Sequence, residues 1–217
     1  DFENIALGVR DARYDRFDIR PVLERLLVKG SIVVKKAYCD WERYREFKTG
    51  MHEAAFEMIE IPHVRQSGKN SADIRMVVDA LDLCYTKEHI NTFVIISGDS
   101  DFSPLVSKLR ENNKTTIGIG LRDSTSMLLV ENCDEFIYYD DLIREVEQKK
   151  QKPPTPRKKS DPEGKTEDLG EKLVEAVRSL ERDYDTVWGS MLKQTIRRLY
   201  PGFNEGYYGA GSFAEIL

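Results

Sequence analysis

Short apolar runs alternate with amphipathic segments through the first 147 residues of the chain. Segments with helical periodicity lie at residues 20–30, 71–85 and 103–113. Five apolar runs have the length and residue types of β-strands: 31–38 (SIVVKKAY), 56–62 (FEMIEIP), 92–97 (TFVIIS), 115–120 (TTIGIG) and 135–140 (EFIYYD). This alternation predicts an α/β fold with a mostly parallel sheet and helices on both of its faces.

The helical segment at 71–85 carries apolar residues about 3.6 residues apart, which is typical of a helix with one buried face. We predict that this face packs into the core; its members are Ile74, Val77, Val78, Leu81 and Tyr85. The segment at 103–113 has a start signal of its own, because Ser103 suits the N-cap and Pro104 the first helical position.

The pattern stops at residues 148–168 (QKKQKPPTPRKKSDPEGKTED), which contain no apolar side chain that could anchor a core. Proline and solvated charge favour an extended backbone, so we predict a basic, Pro-rich linker. Two interpretations of its charge stay open: a solvated tether, or an arm that attracts phosphate. The first domain is then expected at 1–147 and a second at 169–217.

The second domain is expected to be helical. Residues 169–181 (LGEKLVEAVRSLE) form an amphipathic pattern, and 187–203 hold a second helix that ends before Pro201. A short third helix is predicted at Ser212–Leu217, and Trp188 is expected in the core of this module. The pattern is that of a small winged-helix-like module, and the chain ends before the module is complete.

Charge and cysteine content narrow the class of protein. The net charge is −5; acidic residues exceed basic ones before residue 148, and the reverse holds after it. An acidic first domain would need a cation to handle nucleic acid. The three cysteines, Cys39, Cys84 and Cys133, are widely spaced and odd in number, which suits a reducing compartment. No apolar run approaches the ~20 residues of a membrane helix, so we expect a cytoplasmic protein.

Candidate chemistry lies where predicted strands end. Asp99 and Asp101 directly follow the strand at 92–97, Asp73 lies near the start of the 71–85 helix, and Asp1 precedes a polar, turn-like segment. In a parallel sheet such connections open onto one edge. Converging carboxylates repel one another, and a hard divalent cation with oxygen ligands relieves that repulsion. Such a cation can also activate water against a phosphodiester.

A structural interpretation of the same acids stays open beside the metal site, because an aspartate near a helix start often only caps the helix. A zinc site is not expected, since His52, His63 and His89 show no paired spacing. Trp41, with Tyr38 and Tyr44 beside it, is either a platform for unstacked bases or part of the core.

Three blocks in order resemble the NYN domain in its LabA-like branch, within the PIN-like ribonuclease folds: DFEN (1–4), KNSADIRMVVDALD (69–82) and VIISGDSDFSPLVSKLREN (94–112). The resemblance implies a three-layer α/β/α sandwich and a Mg²⁺- or Mn²⁺-dependent endoribonuclease. The family's apolar strand before the first acid is absent from the sequence, so we expect that further residues precede Asp1 in the native protein.

The resemblance also implies roles for individual residues. Metal-binding and catalytic roles fall to Asp1, Asp73 and Asp99, with Asp101 as a supporting catalytic acid. Asn4 would orient the first acid or the substrate, and Asp79 matches a position that supports the metal ligands. Two assignments have structural alternatives. Lys69 either contacts a substrate phosphate or is an ordinary surface lysine, and Ser97 either binds a metal-bound water or has a packing or capping role.

Residues 187–217 resemble the OST-HTH module, also called LOTUS, in the Ser-Met-Leu-Lys segment and the Pro-Gly-Phe-Asn-Glu turn. That module is associated with RNA or protein binding and often accompanies NYN domains. The first hypothesis is therefore a metal-dependent endoribonuclease acting on single-stranded RNA. The alternative is a non-catalytic adaptor that binds RNA or recruits a protein. A deoxyribonuclease or phosphoester hydrolase would use the same chemistry.

Overall fold

The computed structural model describes residues 1–14, 16–61, 71–151 and 162–217. These residues belong to two compact units. The first unit comprises Asp1–Arg20 and Val33–Glu147, and the second comprises Pro21–Ile32 and Gln148–Leu217. The helical segment predicted at 20–30 was expected in the first domain. Almost all of it belongs instead to the second unit, together with the C-terminal part of the chain.

The helices and strands follow one another along the chain in this order: α1 (Phe2–Asp11), α2 (Arg20–Lys29), β1 (Lys36–Cys39), α3 (Arg45–Glu53), β2 (Glu57–Glu60), α4 (Ser71–Thr86), β3 (Thr92–Ile96), α5 (Ser103–Glu111), β4 (Thr115–Gly120), α6 (Met127–Asn132), β5 (Glu135–Tyr138), α7 (Tyr139–Gln151), α8 (Pro162–Leu180) and α9 (Gly189–Leu199). Short 3₁₀ turns lie at Ser100–Phe102, Arg122–Ser124, Glu205–Tyr208 and Phe213–Glu215. Among the described residues, no helix combines the length and the apolar character that crossing a membrane requires.

All strand pairs in the described part of the chain are parallel, which confirms an α/β fold with parallel strands and additional C-terminal helices. The expected single central sheet is instead two sheets, β1–β2 and β3–β4–β5. At the end of β3, the carbonyl oxygen of Ile96 accepts a hydrogen bond from the backbone nitrogen of Asp1 at 3.2 Å.

The core of the first unit lies between β3, α4 and α5, where Phe93, Ile95, Phe102 and Leu109 are buried. The inward face of α4 differs from the predicted one. Its buried residues are Met76, Ala80 and Cys84, whereas Ile74, Val78 and Tyr85 are 62%, 55% and 59% exposed. The prediction was wrong for these three residues and right for Val77 and Leu81, which pack against the core. α4 carries apolar residues on two faces, and periodicity alone does not say which face meets the core.

An aromatic cluster packs the start of α1 against the loop after β1. The ring of Phe2 lies 5.0 Å from that of Trp41 and 5.7 Å from that of Tyr44, measured between centroids. Trp41 is 1% exposed and Tyr38 is also buried. These two side chains therefore belong to the core, and the alternative of a platform for bases is wrong for them.

The second unit is built from α2, α8 and α9. Its buried core includes Val28, Ala176, Leu180, Ile196 and Phe213. The described part of 162–217 contains no strand, so the β-wing of a winged helix is not formed there. Trp188, expected in this core, is 66% exposed instead, because it lies at the N-cap of α9 rather than on its buried face.

The predicted linker is shorter than 148–168, because helices enter it from both sides. α7 continues to Gln151 and α8 begins at Pro162. Glutamate, lysine and glutamine favour helix extension, and proline suits a first helical turn. Residues 152–161, which contain the proline cluster, lie outside the described residues, so the linker prediction stays open there.

A half-buried ion cluster joins α2 to the loop after α8. Arg25 Nη2 lies 2.6 Å and Lys29 Nζ 3.0 Å from Asp183 Oδ1, and Arg25 Nη1 donates to Asp183 Oδ2 at 3.0 Å. Burial would raise the pKa of Asp183, but the hydrogen bonds from Arg25 and Lys29 outweigh burial and lower it. The charged form of Asp183 therefore stabilises the fold.

We expect Asp183→Asn to lower the free energy of unfolding by about 1–2 kcal/mol at neutral pH, because the change removes a charged acceptor from two donors. A lowered carboxyl pKa contributes stability above the unfolded-state value, about 3.9, and loses it as pH falls through the folded-state pKa. The difference between wild type and variant in urea unfolding should therefore shrink in acid. Asp185→Asn, at an exposed position two residues away, is the control; an equal effect of both changes would contradict the role of the cluster.

Candidate functional site

The carboxyl end of β3 is the centre of the candidate site. The chain leaves β3 through Ser97 and Gly98 and enters the 3₁₀ turn at Ser100–Phe102. A Cβ on Gly98 would lie 2.6 Å from the carbonyl oxygen of Ser124 and 3.0 Å from Cα of Thr125. The loop after β4 therefore approaches the backbone so closely that only glycine fits at residue 98.

Hydrogen bonds attach the start of α1 to this end of β3. Asp1 caps α1, with its Oδ1 accepting from the backbone nitrogen of Asn4 at 3.4 Å. Asn4 Oδ1 in turn accepts from the backbone nitrogen of Gly98 at 2.8 Å. The polar segment expected to form a turn is thus the first turn of a helix, since Asp1 supplies its cap. Asn4 contacts backbone, which makes it a positioning residue.

Ser97 connects two of the candidate acids. Its hydroxyl donates to Asp1 Oδ2 at 3.1 Å and accepts from the backbone nitrogen of Asp99 at 3.3 Å. The side chain is fully buried. A buried hydroxyl with one donated and one accepted bond is fixed in orientation. Ser97 therefore holds the carboxylate of Asp1 and the backbone of Asp99 in one arrangement.

Asp99 and Asp101 lie on the turn that follows. Asp99 is the N-cap of the 3₁₀ turn, and its Oδ1 accepts from the backbone nitrogen of Asp101 at 2.9 Å. Asp99 is half-buried, whereas Asp101 is exposed. One carboxylate oxygen of Asp99 therefore caps the start of the 3₁₀ turn, as the structural interpretation of these acids expected. This cap does not exclude metal binding, because a carboxylate has a second oxygen.

Asp73, in the first turn of α4, shares the electrostatic environment of these acids. Burial raises its pKa most, and repulsion from the charges of Asp99 and Asp101 raises it further. Among the described residues, no Lys or Arg side chain forms an ion pair with any of the four acids Asp1, Asp73, Asp99 and Asp101. The repulsion between α4 and the carboxyl end of β3 is thus not relieved by those residues.

The donor atoms of this site fit a hard divalent cation. Carboxylate oxygens are ligands that Mg²⁺ and Mn²⁺ prefer, and a cation would offset the repulsion at Asp73. Within residues 1–14, 16–61, 71–151 and 162–217, however, no group of three or more His, Cys, Asp or Glu side chains is arranged as a ready metal site. The assignment of Asp1, Asp73 and Asp99 as ligands stays a prediction. Lys69 lies outside the described residues.

Asp79 has a structural role away from these acids. Its Oδ2 accepts from Lys36 Nζ at 3.2 Å and from the Tyr38 hydroxyl at 3.0 Å, and its Oδ1 accepts from Arg75 Nε at 3.0 Å. Burial would raise the pKa of Asp79, but these hydrogen bonds lower it. Asp79 therefore joins α4 to β1, and its role as a support of the metal ligands stays a prediction.

Sequence reasoning missed the loop after β4. The backbone nitrogen of Ser126 donates to the carbonyl oxygen of Gly98 at 2.9 Å, and Thr125 packs against both Gly98 and Gly120. Thr125 Oγ1 is buried without a hydrogen-bond partner among the described residues. The sequence offered one signal for this loop: a glycine lies at the end of each of the two adjacent strands, Gly98 after β3 and Gly120 in β4, and a Ser-Thr-Ser segment follows Gly120 after three residues. This loop supports the turn that carries Asp99.

Comparison with known proteins identifies one family and similar solved structures. The NYN domain matches residues 1–141 of the chain. The crystal structure of a Vibrio parahaemolyticus protein of unknown function is similar at a TM-score of 0.57 and 26% sequence identity, over 65% of this chain and 90% of that chain. No curated protein matches the chain. The NYN match ends at residue 141, so the OST-HTH resemblance of residues 187–217 stays a prediction.

Proposed function

Because the chain belongs to the NYN domain family, we propose that it is a Mg²⁺- or Mn²⁺-dependent endoribonuclease that cleaves single-stranded RNA. One observation carries the proposal beyond the family. Asp73 lies close enough to Asp99 and Asp101 for their charges to raise its pKa, and no described Lys or Arg pairs with these three side chains. A divalent cation supplies the missing positive charge.

The proposed roles follow from the hydrogen bonds. Asp1, Asp73 and Asp99 would hold the metal, which supplies charge stabilisation and an activated water when bound. Ser97 fixes Asp1 against the backbone of Asp99, so that the two acids keep their spacing. Asp101 is exposed on the same turn and is placed to accept a proton or orient water. Asn4 positions Gly98 through its Oδ1, and its amide nitrogen would orient the first acid or the substrate.

Substrate binding involves the rest of the chain. The first 147 residues are acidic, so phosphate contacts away from the metal are expected from basic residues elsewhere. We propose that the basic segment within 148–168 and the OST-HTH-like module hold RNA or recruit a protein partner. Lys69, which lies outside the described residues, stays a candidate phosphate contact.

The proposal is tested by incubating the full chain with end-labelled single-stranded RNA and DNA of the same sequence, in Mn²⁺ or in EDTA. Internal cleavage of RNA in Mn²⁺ and its loss in EDTA would support the proposal. Equal cleavage of DNA would support a nuclease that does not read the 2′-hydroxyl. Intact RNA in Mn²⁺ would contradict catalysis.

An adaptor without catalysis is the second candidate. It is favoured by the absence, among the described residues, of three grouped metal ligands. In this case the carboxylates stabilise the turn after β3, and the C-terminal module carries the binding function. Titration with Mn²⁺ separates the two candidates: saturable binding that is lost in Asp73→Asn supports the nuclease, and no binding at millimolar Mn²⁺ supports the adaptor.

The raised pKa of Asp73 predicts a pH dependence of metal binding. A proton competes with Mn²⁺ for this carboxylate, so affinity should fall on acidification at a higher pH than for an ordinary aspartate, whose pKa is about 3.9. Without metal, the effect of Asp73 on folding stability has the opposite pH dependence to that of Asp183. The free energy of unfolding falls as pH rises through the Asp73 pKa, because burial and repulsion disfavour the charged carboxylate in the folded state. The measurement is Mn²⁺ affinity against pH by calorimetry.

The variant that tests the cause is Asp101→Asn, which removes one repelling charge. The midpoint of the pH dependence should move to lower pH, even where overall affinity also changes. Glu53→Gln, at an exposed acid at the end of α3, is the control and should leave the midpoint in place. An unmoved midpoint in Asp101→Asn would contradict the electrostatic coupling.

A further inference from the structure

α4 has a second apolar face that the fold does not cover with described residues. Ile74, Val78 and Tyr85 are each more than half exposed, although the Tyr85 hydroxyl accepts from Asn112 Nδ2 at 3.4 Å. Leu81 lies at the edge of this row, half-buried and partly packed against the core. We call these four residues the outer face of α4. Met76, Ala80 and Cys84 hold the opposite side of α4 in the core, so three of the four outer-face residues, Ile74, Val78 and Tyr85, stay largely exposed.

The spacing of the outer face is that of a helix pair. Steps of four, three and four residues separate Ile74, Val78, Leu81 and Tyr85, which is the d-a-d-a order of a coiled-coil contact. Single exposed apolar residues are ordinary on protein surfaces. Here, by contrast, four apolar residues follow the coiled-coil spacing along about 16 Å of one helix. Such a row is suited to packing against a second helix with the same spacing.

Two charges beside the outer face make it complementary to itself. Arg75 and Asp82 follow Ile74 and Leu81 by one residue and lie on the same side of the apolar row, at e positions. In an antiparallel pair of identical helices, e positions face each other, so Arg75 meets Asp82 of the second copy twice. Arg75 Nε bonds Asp79, and a guanidinium has five N–H donors, so it can serve both acids.

We infer that α4 is a self-association helix, through which two copies of this chain pair antiparallel about a two-fold axis. In that register Ile74 packs on Tyr85 of the second copy, and Val78 packs on Leu81 of the second copy. A single helix pair is a small interface, so the dimer should form in a concentration-dependent equilibrium. Asp73 adjoins Ile74, which places Tyr85 of the second copy beside each candidate site.

The first test is the oligomeric state of the full chain by sedimentation velocity across a range of concentrations. The wild type should shift from monomer to dimer as concentration rises. Val78→Asp should remain monomeric, because it would place a charge in the apolar row of both copies. Val33→Asp, an equally exposed valine outside α4, is the matched control and should dimerise like the wild type. A wild type that stays monomeric, or a Val78→Asp chain that dimerises as well as Val33→Asp, would overturn the inference.

Charge reversal tests the orientation. Asp82→Arg alone should weaken the dimer, because two arginines then face each other, and Arg75→Asp combined with Asp82→Arg should restore it. Thermal unfolding of each variant separates weakened pairing from a damaged fold. A double variant that folds but pairs no better than Asp82→Arg would overturn the antiparallel register.

A designed disulfide tests the same register without depending on charge. In a Cys133→Ser background, Ile74→Cys with Tyr85→Cys should form a cross-linked dimer under mild oxidation, because these positions oppose each other. Ile74→Cys alone should not, since its two copies would lie about 16 Å apart, too far for a disulfide. The native Cys39 and Cys84 are buried and free. Cross-linking by Ile74→Cys alone, or none by the double variant, would overturn the proposed pairing.

Discussion

Asp99→Asn is expected to abolish metal-dependent cleavage of RNA and to leave the fold intact. Asparagine keeps an Oδ1 acceptor for the backbone nitrogen of Asp101, and asparagine is as good an N-cap as aspartate. It lacks the charge that a divalent cation would bind beside Asp73. Metal stabilisation of the transition state is worth several kcal/mol, so the rate should fall by about a thousandfold or more.

The measurement is the initial rate of single-stranded RNA cleavage in Mn²⁺, together with thermal unfolding of the same preparation. The matched control is Glu53→Gln, which removes an exposed acid at the end of α3. It should retain the wild-type rate. Undiminished cleavage by a purified, folded Asp99→Asn chain would refute the assignment of Asp99.

Gly98→Ala should be the most destabilising single methyl added near the site. The new Cβ would meet the backbone of the loop after β4, at Ser124 and Thr125, instead of a flexible side chain that could move away. Overpacking of this kind costs about 1–3 kcal/mol, and a backbone obstacle belongs at the upper end. Movement of residue 98 would also shift Ser97 and Asp99, so cleavage should fall with stability.

Gly50→Ala is the control for this change. Gly50 lies inside α3, and a Cβ there would meet nothing within 4 Å. Alanine in a helix is favoured over glycine by about 0.5–1 kcal/mol, so the control should be neutral or stabilising. Urea unfolding of both variants at neutral pH decides the matter. A Gly98→Ala chain as stable as the wild type would show that the close approach of the two loops is not required.

The strands were the most predictable part of the fold. Four of the five apolar runs contain a strand, because β-branched and aromatic residues in short runs suit a buried sheet. The run at 31–38 overlaps β1 only at its end, and its valines, Val33 and Val34, are exposed. The helices were harder. α1 was mistaken for a turn because its cap, Asp1, belongs to the same polar segment, and α3 was missed because only Met51 in it is buried.

The candidate acids could be predicted from position, since residues after parallel strands share one edge of the sheet. Ser97 was found by its place beside Asp99, but its role as a link between Asp1 and Asp99 depends on the packing of α1. The contribution of Thr125 could not be found in advance, because it depends on how the loop after β4 folds over Gly98. A family motif therefore predicts candidate metal ligands better than it predicts the residues that hold those ligands in position.

The position of α2 affects what a protease could do to this chain. α2 lies early in the sequence, yet Val28 belongs to the core of the second unit, and Arg25 and Lys29 bind Asp183. Cleavage at any peptide bond between residues 152 and 161 would therefore break the backbone without separating the fragments. The N-terminal fragment would keep α2 inserted in its partner, and the nicked protein should elute from a sizing column as one species until a denaturant releases α2.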